Sequence, residues 1–201
     1  MTLNCNGQLI DLNTPKIMGI LNLTPDSFYD GGKYIDVENA LRKTEEMLLD
    51  GAAFIDIGAF SSKPGAEEIS EEEESRRLFP VLEKLVRKFP HALFSIDTCR
   101  SQIADESLKI GACMINDISG GKFDSKLMEV VGKHSAPYVL MHMKGSPKNM
   151  QDNPKYDDII QEMLYYFSEK VQEAYGHGIN DIIIDPGFGF GKNIDHNYEL
   201  L

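Results

Sequence analysis

The sequence predicts an α/β fold of the TIM (β/α)8-barrel type, truncated after its sixth βα unit. Short apolar segments alternate six times with amphipathic helical patterns, and no β-hairpin signal separates them, which predicts parallel strands with right-handed crossovers. Polar or glycine residues follow every predicted strand, which favours a barrel over a doubly wound sheet with one switch point. A complete barrel takes about 250 residues, whereas this chain has 201.

The predicted elements begin after a turn at Asn13, Thr14 and Pro15. Apolar runs predict strands at residues 17–21, 53–57, 93–96, 113–115, 138–141 and 182–184. Helical periodicity predicts helices at residues 37–50, 70–89, 101–110, 125–134 and 156–175, and a further helix begins at residue 193. Gly51 suits a helix C-cap, and Ser70 with Glu73 resembles a capping box.

Composition and charge exclude several classes of protein. With 42% hydrophobic and 26% charged residues, the chain is ordinary globular protein, and residues 1–201 are predicted to form a single domain. A formal net charge of −12 argues against nucleic-acid binding. No apolar run is long enough to cross a membrane and no signal peptide is recognised, so a cytoplasmic location is predicted. Three cysteines without metal-type spacing fit a reducing compartment.

Polar side chains end the predicted strands and form the candidate site. They are Asn22, Asp56, Asp97, Asn116, His142 and Asp185. Carboxylates and an amide that converge from several strand ends suit a planar heterocycle with several N–H groups. Hydrolysis by paired carboxylates uses the same residue types, but the intervening amide makes it less attractive. His142 is predicted to be a structural or rim residue, and for Asp56 structural and functional roles remain open.

The stretch Asp181 to Lys192, D-I-I-I-D-P-G-F-G-F-G-K, is the most informative. A strand buried on both faces ends abruptly at Asp-Pro-Gly, since proline cannot donate to a ladder and glycine permits a sharp exit. The loop that follows is too short and too aromatic for a phosphate-binding P-loop. Asp185 is therefore predicted at the carboxyl end of a strand, where α/β folds place their chemistry.

Five motifs in order resemble the dihydropteroate synthase family. They are I-L-N-L-T-P-D-S-F-Y-D-G-G from Ile20, D-I-G-A-F-S-S-K-P-G-A from Asp56, S-I-D-T from Ser95, I-N-D-I-S-G-G from Ile115, and D-P-G-F-G-F-G-K from Asp185. The resemblance implies a Mg²⁺-dependent transferase of folate biosynthesis on a TIM barrel. It joins 6-hydroxymethyl-7,8-dihydropterin diphosphate to 4-aminobenzoate and releases diphosphate. It further implies a homodimer for a full-length chain.

The same resemblance implies roles for individual residues. Asp97, Asn116 and Asp185 would hold the pterin ring, and Met141 would pack on it. Ser62 and Lys63 would contact the aminobenzoate and the diphosphate, Phe190 would flank the aminobenzoate, and Asn22 would meet Mg²⁺ or the diphosphate. Lys63, Asp97 and Asp185 are thus the candidate catalytic residues.

The chain departs from the family pattern in two places. Where the family usually has E-S-T-R, this sequence has Phe60, Ser61, Ser62 and Lys63, and lysine replaces a bidentate fork with a point charge. The family's G-x-S-R-K and R-x-H-D stretches would lie beyond Leu201, so residues 1–201 are expected to be inactive alone. The alternatives are a pterin-binding methyltransferase domain, which the T-P-D-S-F and S-S-K-P-G loops disfavour, and a non-catalytic pterin-binding fragment.

Overall fold

The computed structural model describes residues 1–24, 29–30, 34–35, 37–60, 69–146, 150 and 154–201. Its strands are β1 Thr2–Cys5, β2 Gln8–Asp11, β3 Met18–Asn22, β4 Tyr29–Asp30, β5 Tyr34–Ile35, β6 Phe54–Gly58, β7 Leu93–Asp97, β8 Met114–Asp117, β9 Tyr138–Met141 and β10 Ile182–Asp185. Its helices are α1 Val37–Leu49, α2 Glu71–Lys88, α3 Ser101–Ile110, α4 Leu127–Lys133, α5 Ile159–Gly176 and α6 Ile194–Leu200.

The central feature is a six-stranded sheet in the order β10-β9-β8-β7-β6-β3. Every pair of neighbouring strands in it is parallel, and a helix lies between each strand and the next along the chain. Strands laid down in sequential order with helical crossovers are the arrangement of a (β/α)8 barrel. The predicted fold class and the six predicted strands are confirmed.

Two antiparallel strand pairs were not predicted. β1 pairs with β2, and β4 pairs with β5 inside the polar segment that follows β3. The first hairpin turns at Asn6 and Gly7, whose φ angles are +52° and +85°. Asn-Gly between short strands is a strong hairpin signal because both residues tolerate positive φ, so the sequence did contain the information for β1 and β2.

The hairpin β1–β2 covers the amino-terminal end of the sheet. Its buried residues Leu3 and Cys5 pack against Phe54, Met114 and Val139, which face the inside of the barrel. The backbone N–H of Asn4 donates to the Asp181 carboxylate at 2.7 Å, on the segment that leads into β10. With this end filled by apolar side chains, the carboxyl ends of the strands are left to form a site.

Alternation along the strands separates the two faces of the sheet. In β6, Ile55 and Ile57 belong to the main core beneath the helices, whereas Phe54 belongs to the inner cluster. Because side chains alternate along a strand, Asp56 and Gly58 share the inner face with Phe54. No helix in the described part of the chain is long and apolar enough to cross a membrane.

Two helical glycines give opposite stability predictions. A Cβ on Gly132 in α4 would lie 1.9 Å from the His177 carbonyl oxygen, whereas a Cβ on Gly176 in α5 would meet nothing within 4 Å. We expect Gly132→Ala to destabilise the protein by about 3 kcal/mol. Gly176→Ala should stabilise it by about 0.5–1 kcal/mol, since alanine loses less backbone entropy on folding.

Urea unfolding of both variants checks this pair of predictions. Gly176→Ala is the matched control. It adds the same methyl group to the last residue of α5, directly before His177, where the methyl group has space. Equal unfolding midpoints for the two variants would show that α4 can move away from residue 177 without cost.

Candidate active site

Four strands place one row of side chains at their carboxyl ends. Asn22 is in register with Gly58, Gly58 with Asp97, and Asp97 with Asn116. Toward the opposite edge of the sheet, Asp185 at the end of β10 is in register with Met141 at the end of β9. Residues in register on parallel strands point to the same face, so Asn22, Asp97 and Asn116 share one surface. The structure thus brings together three of the residues singled out from the sequence.

Gly58 makes this row possible. A Cβ at position 58 would lie 3.2 Å from Asn22 Oδ1 and 3.3 Å from Asp97 Oδ2. The missing side chain therefore leaves the space into which the Asn22 amide and the Asp97 carboxylate both extend. Two oxygen atoms that converge over a glycine form a concave polar surface at the end of β6.

Asp56 lies one layer below and orients the amide of Asn116. Asn116 Nδ2 donates to Asp56 Oδ2 at 2.9 Å, and Asp56 is only 3% exposed. With its N–H group used in this way, Asn116 presents its carbonyl oxygen Oδ1 as an acceptor. The open question about Asp56 is answered in structural terms, because it positions the Asn116 amide.

The carboxyl groups of Asp56 and Asp97 both have raised pKa values. Burial raises the pKa of Asp56. Burial, together with the negative charges of Asp56 and Asp117, raises the pKa of Asp97 well above its ordinary value. Oδ1 of Asp56 and Oδ1 of Asp97 are buried, and neither has a hydrogen-bond partner among the described residues. Buried acceptors without donors are rare and costly, so Asp97 Oδ1 is available to the N–H group of a ligand.

We expect Asp97→Asn to raise protein stability at neutral pH. Because its pKa is raised, native Asp97 keeps its proton over a pH range in which the unfolded chain has already released it. The free energy of unfolding therefore falls as pH rises above the ordinary aspartate value of about 4, up to the native pKa. Asparagine cannot ionise and avoids this loss.

Urea unfolding at pH 4 and pH 7.5 tests this prediction. The variant should match the wild type at pH 4 and exceed it at pH 7.5. Asp50→Asn, at an exposed position after α1, is the control and should show no such divergence. A wild type that loses no stability between the two pH values would contradict a raised pKa.

Asp185 is held by the glycine-rich loop that follows it. Its Oδ1 accepts the backbone N–H of Gly187 at 2.7 Å, and the Phe190 N–H donates to the Gly187 carbonyl at 3.0 Å. Phe190 packs on a small apolar cluster built from Cys99, Ile118, Met141, Met143 and Met150, with Phe60 on its border. The carboxylate and an apolar wall therefore lie at the same end of the sheet, as the motif predicted.

Two groups beside the site were not predicted from the sequence. Buried Glu74 accepts a hydrogen bond from the Thr98 hydroxyl at 2.7 Å and pairs with Arg100 at 2.5 Å. The Thr98 backbone N–H donates to the Asn116 backbone carbonyl at 3.1 Å. Glu74 belongs to the acidic first turn of α2, where a glutamate is usually solvated. The second missed group is Lys192, which is 2% exposed and lies against His142, itself buried as a structural residue.

Ser62 and Lys63 lie outside the described residues, so the structure says nothing about their predicted roles. Asn22 ends β3 in an exposed position. No group of three or more His, Cys, Asp or Glu side chains that could hold a metal occurs among the residues the structure describes. Mg²⁺, however, is commonly bound through one or two protein oxygens together with substrate phosphates and water. The Asn22 amide oxygen in the space over Gly58 fits that mode.

Comparison with known proteins places these features in context. A family model described as "pterin binding enzyme" matches residues 18–201. Dihydropteroate synthase of Escherichia coli K12 is 43% identical over 203 residues, which cover 100% of this chain and 71% of that protein. Dihydropteroate synthase of Haemophilus influenzae is 40% identical, with 100% and 73% covered.

Solved structures give the same result. The Yersinia pestis dihydropteroate synthase in complex with a sulfonamide drug superposes with a TM-score of 0.92 at 44% identity, covering 100% of this chain and 73% of that one. The Xanthomonas albilineans enzyme in complex with 7,8-dihydropteroate superposes with a TM-score of 0.84 at 36% identity, covering 100% and 71%.

Proposed function

Because the chain belongs to the dihydropteroate synthase family, we propose that it binds a dihydropterin diphosphate and transfers the pterin methylene group to 4-aminobenzoate. The observation that carries this proposal is the row formed by Asn22, Asp97 and Asn116 at the strand ends beside Gly58, with the buried Asp97 Oδ1 left without a partner among the described residues. A pterin edge offers the N–H donors that these acceptors lack.

Besides Asp97, the proposal gives Asp185 and Asn116 different parts in holding the ring. Asp185 is the carboxylate for the aminopyrimidine edge, because a charge-assisted bidentate pair is stronger than neutral hydrogen bonds. Asn116 offers a carbonyl oxygen whose direction is fixed by Asp56. Met141 and Phe190, which border the same apolar cluster, cover the faces of the pterin and of the arylamine respectively.

The bond changes need positioning more than proton transfer. The amine nitrogen forms a C–N bond to the pterin methylene carbon, the C–O bond to diphosphate breaks, and the amine loses a proton. Since an arylamine is already nucleophilic, no strong general base is required. The diphosphate leaves with added negative charge, which Lys63 is proposed to stabilise. Asn22 would hold Mg²⁺, and the bound ion would supply further charge stabilisation for the diphosphate.

Pterin binding and diphosphate release test this function separately. Titration with 6-hydroxymethylpterin tests the ring site, and release of diphosphate from the pterin diphosphate with 4-aminobenzoate and Mg²⁺ tests the reaction. Turnover by the 201-residue chain supports the synthase. Binding without turnover supports the non-catalytic alternative for these residues, and absence of binding overturns the proposal.

The methyltransferase alternative is less well supported. The relatives with 40–43% identity over the whole chain are dihydropteroate synthases. A methyl-transfer assay with a methylated folate and a thiol acceptor provides the direct comparison, and we expect no product. The cytoplasmic location and the homodimer of a full-length chain remain predictions.

A further inference from the structure

We propose that Lys192 is a positioning residue whose ammonium group holds the glycine-rich loop 186–191 in place, and with it Asp185 and Phe190. The part of this inference that concerns substrates rests on the function proposed above. The part that concerns the loop rests on geometry alone. Lys192 ends the motif D-P-G-F-G-F-G-K, but no role was predicted for it.

The ammonium group is surrounded by carbonyl oxygens. Lys192 Nζ donates to the carbonyls of Gly187 and Phe190 at 3.0 Å each, and to the carbonyl of His142 at 3.2 Å. His142 Nδ1 lies 3.2 Å from the same Nζ. Three N–H groups are thus shared among four acceptors contributed by the loop and by the residue that follows β9. We call these four acceptors the ammonium cage.

A buried lysine without an ion pair calls for an explanation. Lys192 is 2% exposed, and no described carboxylate forms a salt bridge with it. Burying a charge in this way is costly unless hydrogen bonds compensate, and burial lowers the Lys192 pKa to about 8. The cage provides the compensation, so the loop conformation and the lysine charge depend on each other.

The glycines of the loop shape the cage. Gly187, Gly189 and Gly191 all have positive φ angles, of +66°, +81° and +66°, which other residues rarely adopt. Gly187 and Gly191 also lie against the backbone after β9, since a Cβ on them would be 2.2 Å from the His142 oxygen and 2.5 Å from the Lys144 oxygen. The G-F-G-F-G pattern therefore allows the backbone to curl around one cation and to contact the neighbouring strand.

His142 completes the cage in its neutral form. Burial and the nearby Lys192 charge lower the His142 pKa to about 4, so at neutral pH Nδ1 can accept from the ammonium. The ring packs edge-on against Tyr166 with centroids 4.8 Å apart, and the Tyr166 hydroxyl donates to the Met141 carbonyl at 3.0 Å. These contacts with Tyr166 hold the His142 ring, and with it the acceptor Nδ1, at the carboxyl end of β9.

Asp185 and Phe190, the two candidate ligand-binding residues at this loop, are both connected to the Lys192 ammonium group by hydrogen bonds. Lys192 holds the Gly187 carbonyl, and the Gly187 N–H holds the Asp185 carboxylate at 2.7 Å. Lys192 also holds the carbonyl of Phe190 itself. Removal of the charge should therefore release the carboxylate and the aromatic side chain together, without changing any atom that touches the pterin.

Three variants test the proposal. Lys192→Met keeps the length of the side chain and removes the charge, while Lys192→Ala leaves a cavity that ethylammonium can enter. Lys133→Met, at an exposed position at the end of α4, is the control. The readouts are the Kd for 6-hydroxymethylpterin, amide hydrogen exchange of residues 186–191, and the urea unfolding midpoint.

We expect Lys192→Met to weaken pterin binding at least about 10-fold, as for lost hydrogen bonds to a charged group, and to remove the protection of the loop amides. Its unfolding midpoint should change little, because relief from the cost of a buried charge offsets the hydrogen bonds that are lost. Ethylammonium should restore binding and loop protection in Lys192→Ala but not in Lys192→Met. Wild-type binding and wild-type loop protection in Lys192→Met would overturn the proposal.

Two further measurements separate the possible failures. If the wild type does not bind pterin, the proposed function fails, while loop protection and its restoration by ethylammonium still test the cage. If the variants do not fold, wild-type protein with ¹⁵N-labelled lysine tests it directly by NMR. A slowly exchanging Nζ–H signal from Lys192 supports the cage, and its absence at low temperature and pH 6 contradicts it.

Discussion

Replacing Asp185 with alanine is expected to weaken pterin binding about 100-fold, because two hydrogen bonds to a charged acceptor are lost. The carboxylate stands at the end of β10, and its Oδ1 is already held by the Gly187 N–H at 2.7 Å. This preorganisation means that little ordering is required when the ligand binds. Titration with 6-hydroxymethylpterin measures the change in Kd directly.

Asp195→Asn is the matched control for this prediction. Asp195 lies in the first turn of α6 and is exposed, so its charge is lost without any change at the strand end. Asp185→Asn should lie between the alanine variant and the wild type, since it keeps one acceptor oxygen but not the charge. A Kd within about 3-fold of the wild type for Asp185→Ala would rule out a direct contact between this carboxylate and the pterin.

The strand ends could be predicted from the sequence because their signals are local. Each strand of the central sheet contains a short apolar run, and a polar or glycine residue ends or follows it. Asp97, Asn116 and Asp185 were found in this way. Their convergence followed from parallel order alone, because parallel strands present their carboxyl ends at one edge. The register that places Asp97 beside both Gly58 and Asn116 confirms that Asp97 and Asn116 are close together.

Other features depended on contacts that a sequence does not display. From the sequence alone, Asp56 and Glu74 cannot be told from solvated or capping carboxylates. Asp56 gains its structural role from its contact with Asn116, and Glu74 from its contacts with Thr98 and Arg100. Lys192 follows a glycine-rich loop, where a lysine is usually solvated. Its burial depends on the backbone of His142, which is 50 residues away in sequence. The hairpin β1–β2, in contrast, could have been predicted, because the Asn6-Gly7 turn signal is visible in the sequence.

The strongest stability prediction concerns Gly187. Alanine at this position would place a Cβ 2.2 Å from the His142 carbonyl oxygen, at a φ of +66°. We expect a loss of about 3 kcal/mol or more, which combines left-handed backbone strain with displacement of the loop from β9. Because the His142 carbonyl and the Gly187 carbonyl both bind Lys192, this displacement should also weaken pterin binding.

Gly189→Ala separates the two causes. Gly189 has a φ of +81°, but a Cβ there would meet nothing within 4 Å, so this variant should lose only about 1 kcal/mol from backbone strain. Urea unfolding measures both variants, and the difference between them is the cost of the contact with His142. If Gly187→Ala loses pterin affinity while its stability equals that of Gly189→Ala, the loop can leave β9 freely and its close seating matters for the ligand alone. Equal stability with unchanged affinity would mean that Asp185 is positioned by β10 and does not depend on the loop.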